Sequence, residues 1–334
     1  FKQKTAYEIR NCDWSSDVCS SDLDIPSDLQ LEKFRREHKA GVYGVDVLYN
    51  AEAPMLLNEA LPDKLVWNFV PDNIAGELSA SEKEPLLVQR HSSRVVYYNT
   101  ALNPNGPPID SMWDLTREEW KGRTLLPSPL EDGLSANFMQ TILLNSDAME
   151  AAYKEEFGKD IEYSKAVLKA VKKNPLIDKP TASMEWLHRF LNNEPVFLGS
   201  TTKIFKNVGD VKQDKAPIGI TTFSKMRTNE KGVYAAEPIY NLKPAFGVSY
   251  PTALMVADMA PHPNAAKLLI RYMMDEGFKP WDEPGDYAAR APIEARQVKE
   301  YGLPAFKDLG LIAIDPDEVY NSKYGFLALY LSLN

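Results

Sequence analysis

Apolar positions along this chain fall in short blocks whose period switches between two and about 3.6 residues, the signature of mixed strands and helices. Residues 31–39 are charged with helical spacing and run into Gly41. The apolar run 45–49 (Val-Asp-Val-Leu-Tyr) then predicts a strand, and residues 54–61 a helix with Pro54 in its first turn. Residues 94–98, β-branched and aromatic, predict another strand. Residues 103–108 are a Pro/Gly/Asn loop. Thr116-Arg117-Glu118-Glu119 reads as a capping box for a short helix, and Thr124-Leu125-Leu126 as a strand. Phe138, Met139, Ile142 and Leu143 share one helix face, and amphipathic helices are expected over 163–173 and 183–191. Strands follow at 195–198, 233–236 and Gly247–Ala257, then a helix over 265–274 and a largely helical, apolar tail from Lys299. Strands alternating with helices predict an α/β protein with parallel sheets, and the length predicts two lobes.

Composition narrows the function classes. The chain has 334 residues, 44% apolar and 25% charged, a globular balance. Its 38 basic and 47 acidic side chains give a net charge of −9, which argues against non-specific nucleic-acid binding. No apolar run approaches the roughly 18 residues that a membrane span needs. The two cysteines, Cys12 and Cys19, do not make a disulfide framework. Both lie in residues 1–23, which read as a translated short-read sequencing adapter: residues 13–23 match one arm, residues 1–8 the flow-cell end, and residues 9–12 fall over the barcode. Such a segment is excluded from fold reasoning. On this reading the remaining chain has no cysteine, and any native signal peptide or lipid anchor would lie outside the sequence.

Several phrases in order resemble a known family. They are Val45-Asp46-Val47-Leu48-Tyr49, Ser93-Arg94-Val95-Val96-Tyr97-Tyr98-Asn99-Thr100, Trp113-Asp114-Leu115 with Trp120-Lys121-Gly122-Arg123, Asn193-Glu194-Pro195-Val196, and residues 260–268 around Pro261-His262-Pro263-Asn264. Over residues 24–295 the chain resembles the extracellular solute-binding proteins of ABC importers, in the ferric-iron-binding-like branch. The resemblance implies a two-lobed type II periplasmic-binding-protein fold with two hinge-crossing strands and the ligand in the cleft. Lobe 1 is expected over 24–97 plus 240–275, and lobe 2 over 98–239 plus 276–334. Relatives begin with a strand, a helix and a second strand that have no counterpart here, so lobe 1 is expected to be N-terminally truncated, with exposed apolar surface and a missing central strand. The implied function is capture of a small polar or anionic solute and its delivery to an ABC permease. The protein would be a periplasmic or extracellular monomer with no cofactor, touching the membrane only through the permease or a lost lipid anchor. The alternatives are a ferric-iron-binding protein of the same importer class and, further off, an enzyme on the same fold. Thiamine-processing enzymes of related architecture use cysteine, which the chain after residue 23 lacks.

The candidate ligand residues each have a plainer reading. Ser128, Ser135 and Asn137 surround a helix start, suited to an anion or carboxylate or simply to N-capping. Ser92, Ser93 and Arg94 precede a candidate hinge strand, in a stretch that in the family lines the cleft from lobe 1; Arg94 is suited to an anion, or is a surface arginine beside a solvated His91. Ser200, Thr201 and Thr202 follow a strand where ferric-binding relatives carry two adjacent tyrosines. Threonine hydroxyls stay neutral and suit polar organic ligands better than a hard trivalent ion. Glu52 lies one residue out of register from the family's carboxylate ligand; it is a metal ligand only if ferric ion is bound, and otherwise a solvated loop carboxylate. Tyr240 and Tyr250 line the cleft or the core. Asp282, Asp286 and Arg290 border the cleft or form a structural loop. The four histidines show no metal-ligand spacing, and no P-loop is present.

Overall fold

The computed structural model describes residues 27–333; the adapter-like segment lies outside them. A helix α1 (Ser27–Lys39) leads to strand β1 (Val47–Asn50) and helix α2 (Ala53–Met55), which continues as a π turn over Leu56–Ala60. Strand β2 (Val66–Trp67), helix α3 (Ala80–Lys83) and the 13-residue strand β3 (Leu87–Asn99) follow. Next come β4 (Thr124–Leu126), α4 (Gly133–Leu144), α5 (Ser146–Phe157), α6 (Lys165–Lys173), α7 (Ala182–Asn192), β5 (Val196–Phe197), α8 (Thr201–Gly209), β6 (Ile218–Thr222) and β7 (Ala236–Pro238). The chain closes with β8 (Gly247–Ala257), α9 (Pro263–Met273), β9 (Tyr287–Ala288), α10 (Ala291–Tyr301), β10 (Leu311–Ala313) and α11 (Pro316–Leu333). Among the described residues, no helix is long and apolar enough to cross a membrane.

The two longest strands, β3 and β8, pair antiparallel from Leu87↔Leu254 to Val95↔Gly247 and run through both lobes. In the first lobe, the later half of β8 pairs with β1 and β2. In the second, the later half of β3 pairs with β6 and β7, and β6 pairs with β4, which pairs with β5. Each half-sheet has helices on both faces. In the first lobe, α1 and α2 bury Leu31, Phe34 and Leu56 with Leu48 and Met255 on one face, and α9 buries Ala266 and Ile270 with Leu87 and Leu254 on the other. In the second, α4 to α7 and α11 cover one face around Trp113, Trp186 and Phe190, while α8 sets Phe205 and Val208 against Val95, Tyr97 and Phe223 on the other.

The crossover itself is sparsely paired. β8 pairs with β10 over 247–249 and with β1 over 253–256, so residues 250–252 have only β3 beside them. Pro251, which has no N–H to donate, occupies that gap, where its missing hydrogen bond matters least. On β3 the matching gap is Ser92–Ser93, between β9 at residues 90–91 and β6 from Arg94.

Some expectations change. The sheet is mixed rather than parallel, because the two crossing strands run antiparallel and only β4/β5, β4/β6 and β8/β10 are parallel. Thr116 caps no helix: its hydroxyl donates to the Trp113 carbonyl, and Ser111 with Asp114 forms the capping box. The strand expected over 233–236 lies at Ala236–Pro238. Helices α5 and α8 and strands β6 and β10 complete the fold. Among the described residues β1 has β8 on one side and no strand on the other, yet Leu48 and Asn50 are buried.

Candidate functional site

Where the crossing strands lose their outer neighbours, a cavity of about 990 Å³ opens between the lobes. Arg90 and Ser92 from β3 and Tyr250 and Thr252 from β8 form its floor. Alternation puts Arg90 and Ser92 on one face of β3, two residues apart. The first lobe adds Tyr49, Asn50 and Ala51 from β1 and its exit. The second adds Leu134 from α4, Thr201 from α8, and Thr222, Ser224, Lys225 and Arg227 around the end of β6. The segment between α9 and β9 closes the back with Glu276, Lys279, Trp281, Glu283 and Asp286.

The floor is a closed polar network. Arg90 pairs with Asp286 at 2.7 Å and donates to the Tyr49 hydroxyl at 2.8 Å and to Ser92 Oγ at 2.6 Å. Ser92 Oγ donates to Asp286 Oδ1 at 2.5 Å, and Tyr49 donates to Gln89 Oε1 at 2.5 Å. Burial opposes the charge on Arg90, but Asp286 and Tyr49 outweigh it and raise its pKa, so the guanidinium stays protonated. Burial likewise pushes up the phenols of Tyr49 and Tyr250, against the pull of Arg90 on the first and Arg94 on the second. Both therefore present neutral hydroxyls. Thr252 Oγ1 is buried without a hydrogen-bond partner at the same floor. The ring of Trp281 meets that of Tyr49 with centroids 5.2 Å apart, and Arg227 pairs with Glu283 across the rim.

Of the residues singled out in the sequence, Ser92, Thr201, Tyr250 and Asp286 line this cavity. Ser200 caps α8, accepting the Lys203 N–H, and sets Thr201 at the first position of the helix; Thr202 is half-buried and does not line the cavity. Ser93 is buried opposite Ser249 and faces away. Tyr240 stacks on Phe246 at 5.0 Å away from the cavity, with burial pushing its phenol up to about 12. Ser128 is a turn residue whose hydroxyl accepts the Leu130 N–H. The cap of α4 is Asp132, which accepts the Ser135 N–H, rather than a serine or asparagine.

Arg94, Glu52, Asn137 and Ser135 are drawn together beside the cavity without lining it. Arg94 is not at the surface: it is 3% exposed and pairs with Asp132 at 2.8 Å. Its Nε and Nη1, and Ser135 Oγ, are buried without partners. Glu52 is not a solvated loop carboxylate; it is 2% exposed and accepts from Asn137 Nδ2 at 2.7 Å. Burial pushes its carboxyl up to about 7, against the hydrogen bond from Asn137. His91 is half-buried, bonded to Glu82 and stacked on Phe306.

Arg90, Asp286 and Trp281 do more at the cavity than their sequence context indicated. The available signal for Arg90 was its two-residue spacing from Ser92. Asp286 read as bordering the cleft or holding a loop, and it lines the cavity, while Asp282 and Arg290 beside it hold loop contacts, to Arg296 and Glu77. Among the described residues, one trio of acids lies close enough to share a metal ion, Asp110, Asp114 and Glu156, and it is not part of the cavity.

No protein-family model matches the sequence, and no curated protein sequence matches it. Solved structures do match the fold. Iron-bound HitA from Pseudomonas aeruginosa superposes with a TM-score of 0.65 at 16% identity, covering 92% of this chain and 88% of that one. The Trichodesmium protein IdiA (FutA), in complex with iron and citrate ligands, gives 0.57 at 17% identity over 92% and 89%. MotA from A. tumefaciens B6, in complex with glucopine, gives 0.60 at 13% identity over 91% and 88%. Superposition on these structures over about nine-tenths of the chain gives it the two-lobed fold of the periplasmic binding proteins, with β3 and β8 as its crossing strands.

Proposed function

We propose that the chain is an extracytoplasmic solute-binding protein that closes its lobes over a small polar or anionic organic solute and delivers it to the permease of an ABC importer. It acts by binding rather than by turnover, as a monomer in the periplasm or at the cell surface. The observation that carries this reading is the cavity at the strand crossover. Its volume suits an organic molecule rather than a bare ion. Its lining offers neutral hydroxyls from Thr201, Thr222, Ser224, Tyr250 and Thr252, the Tyr49–Trp281 aromatic wall, and basic side chains at its rim.

A ferric ion is the second reading, favoured by the likeness to iron-bound HitA. Such an ion needs anionic oxygen donors. Thr201 and Thr202 stand where the resemblance implied two tyrosines. Burial pushes up the phenols of the half-buried Tyr49 and the buried Tyr250, and Asp286 is engaged by Arg90 and Ser92. These features support the organic solute.

A thermal-shift screen separates the readings. Ferric ion is compared with phosphate esters, carboxylates, sugar–amino-acid conjugates and polyamines, and a ligand at 100 times its dissociation constant stabilises by about 2.7 kcal/mol. The expected result is a shift with an organic solute that is lost in Thr201→Ala/Tyr250→Ala. A shift with ferric ion alone would overturn the proposal.

A further inference from the structure

Beside the cavity, a second point of contact between the lobes is built around a glycine. Glu52 follows β1 and opens α2, whose core is that of the first lobe; Gly133 opens α4, whose core is that of the second. A Cβ placed on Gly133 would lie 2.6 Å from Glu52 Oε1, 3.1 Å from Glu52 Cδ and 3.2 Å from Asp28 Cβ. The conformation of Gly133 is one that any residue adopts, so backbone strain does not call for glycine there. What requires it is the approach of the opposite lobe. One turn further along α4, Asn137 Nδ2 donates to Glu52 Oε2 at 2.7 Å.

Both sides of this contact are held rigid. Asn50 Oδ1 accepts the Glu52 N–H at 2.8 Å, while its amide donates to the Ser27 carbonyl and to Gln30 Oε1, fixing the first turn of α1 and with it Asp28. On the other side, Asp132 caps α4 and is held by Arg94 of β3. Glu52 Oε1 and Asp28 Oδ1 are buried there without partners.

We propose that Glu52, seated against Gly133 and bonded to Asn137, forms a latch that holds the two lobes in their closed arrangement independently of the solute. The tight fit is made only when the lobes meet, so it acts on closure, and on global stability through the closed form, rather than on the internal packing of either lobe. The C-terminal helix α11 also packs against α2 and α4 along this seam, with Asn58 donating to Asp317 at 3.1 Å, and is the competing device that could hold the lobes alone.

The test is small-angle X-ray scattering of the whole chain without added solute, with circular dichroism to check folding. The wild type is expected to match the profile calculated from this structure. Gly133→Ala is expected to keep its helicity and shift to a larger radius of gyration, while Gly44→Ala, which has open space around its Cβ, leaves it unchanged. Glu52→Ala and Asn137→Ala are expected to shift the same way. Adding Gly133→Ala to Glu52→Ala should open the protein little further, because the colliding carboxylate is gone. If Gly133→Ala fails to fold, Glu52→Ala and Asn137→Ala decide the matter. Profiles as compact as wild type in folded variants would overturn the latch and leave α11 as the element that holds the seam.

Discussion

Arg90 of β3 and Asp286, one residue before β9, form an ion pair of 2.7 Å in which the carboxylate is almost wholly buried. The pair joins the crossover strand to the segment that walls the cavity. Removing one partner leaves an uncompensated buried charge, which destabilises by about 3–5 kcal/mol. Asp286→Ala is therefore expected to lower the urea midpoint strongly. The double change Arg90→Leu/Asp286→Leu should recover much of that loss. A midpoint unmoved by Asp286→Ala would mean that water reaches Arg90 and solvates it.

Gly247 begins β8 directly against β3. A Cβ there would lie 2.2 Å from the Arg94 carbonyl oxygen and 2.9 Å from Val95 Cγ1. The first obstacle is backbone and cannot rotate away. Gly247→Ala is expected to cost at the upper end of the about 1–3 kcal/mol typical of overpacking, and to loosen the crossover. Amide hydrogen exchange at 94–97 and 247–249 should rise in the variant.

Stability depends on pH through Glu52. Its carboxyl sits near 4.5 in the unfolded chain and at about 7 in the fold, raised first by burial and then by Asp28 and Asp132, and opposed by Asn137 and Arg94. A group whose folded pKa is raised contributes stability that is fully present below the unfolded pKa and is lost as pH rises through the folded one. The loss between about pH 4.5 and pH 7 and above is on the order of 3 kcal/mol. Urea denaturation at about pH 5 and about pH 8 checks it, and Glu52→Gln should flatten the difference.

Trp186 is fully buried, stacks on Phe190 with centroids 5.0 Å apart, and donates to the Met112 carbonyl at 2.8 Å. Trp186→Ala empties the centre of the second lobe and strands that carbonyl. A loss of about 3–5 kcal/mol is expected, read as a drop in melting temperature.

Local pattern carried much of the fold. The apolar run at 45–49, the periodic faces at 138–143 and 183–191, and the eleven-residue strand Gly247–Ala257 are visible because each element buries its own stripe or face. Helix α8 was hidden because Ser200 and Thr201 read as the end of a strand, although Ser200 is its cap. The antiparallel crossing of β3 and β8 was hidden because strand direction depends on which distant strand arrives, not on either sequence.

The site divides along the same line. Sequence alone fixed the chemical types on offer: hydroxyls at 92 and 200–202, a carboxylate at 52, arginines at 90 and 94. Only tertiary structure decided their use. Arg94 and Arg90 are close in β3, yet one is drawn to the cap of α4 and the other to a carboxylate 196 positions away. Glu52 reads as a loop acid, and becomes a buried acceptor because α4 of the opposite lobe closes on it. Burial and pairing depend on what packs against a residue from outside its own segment, and that is settled only when the lobes meet.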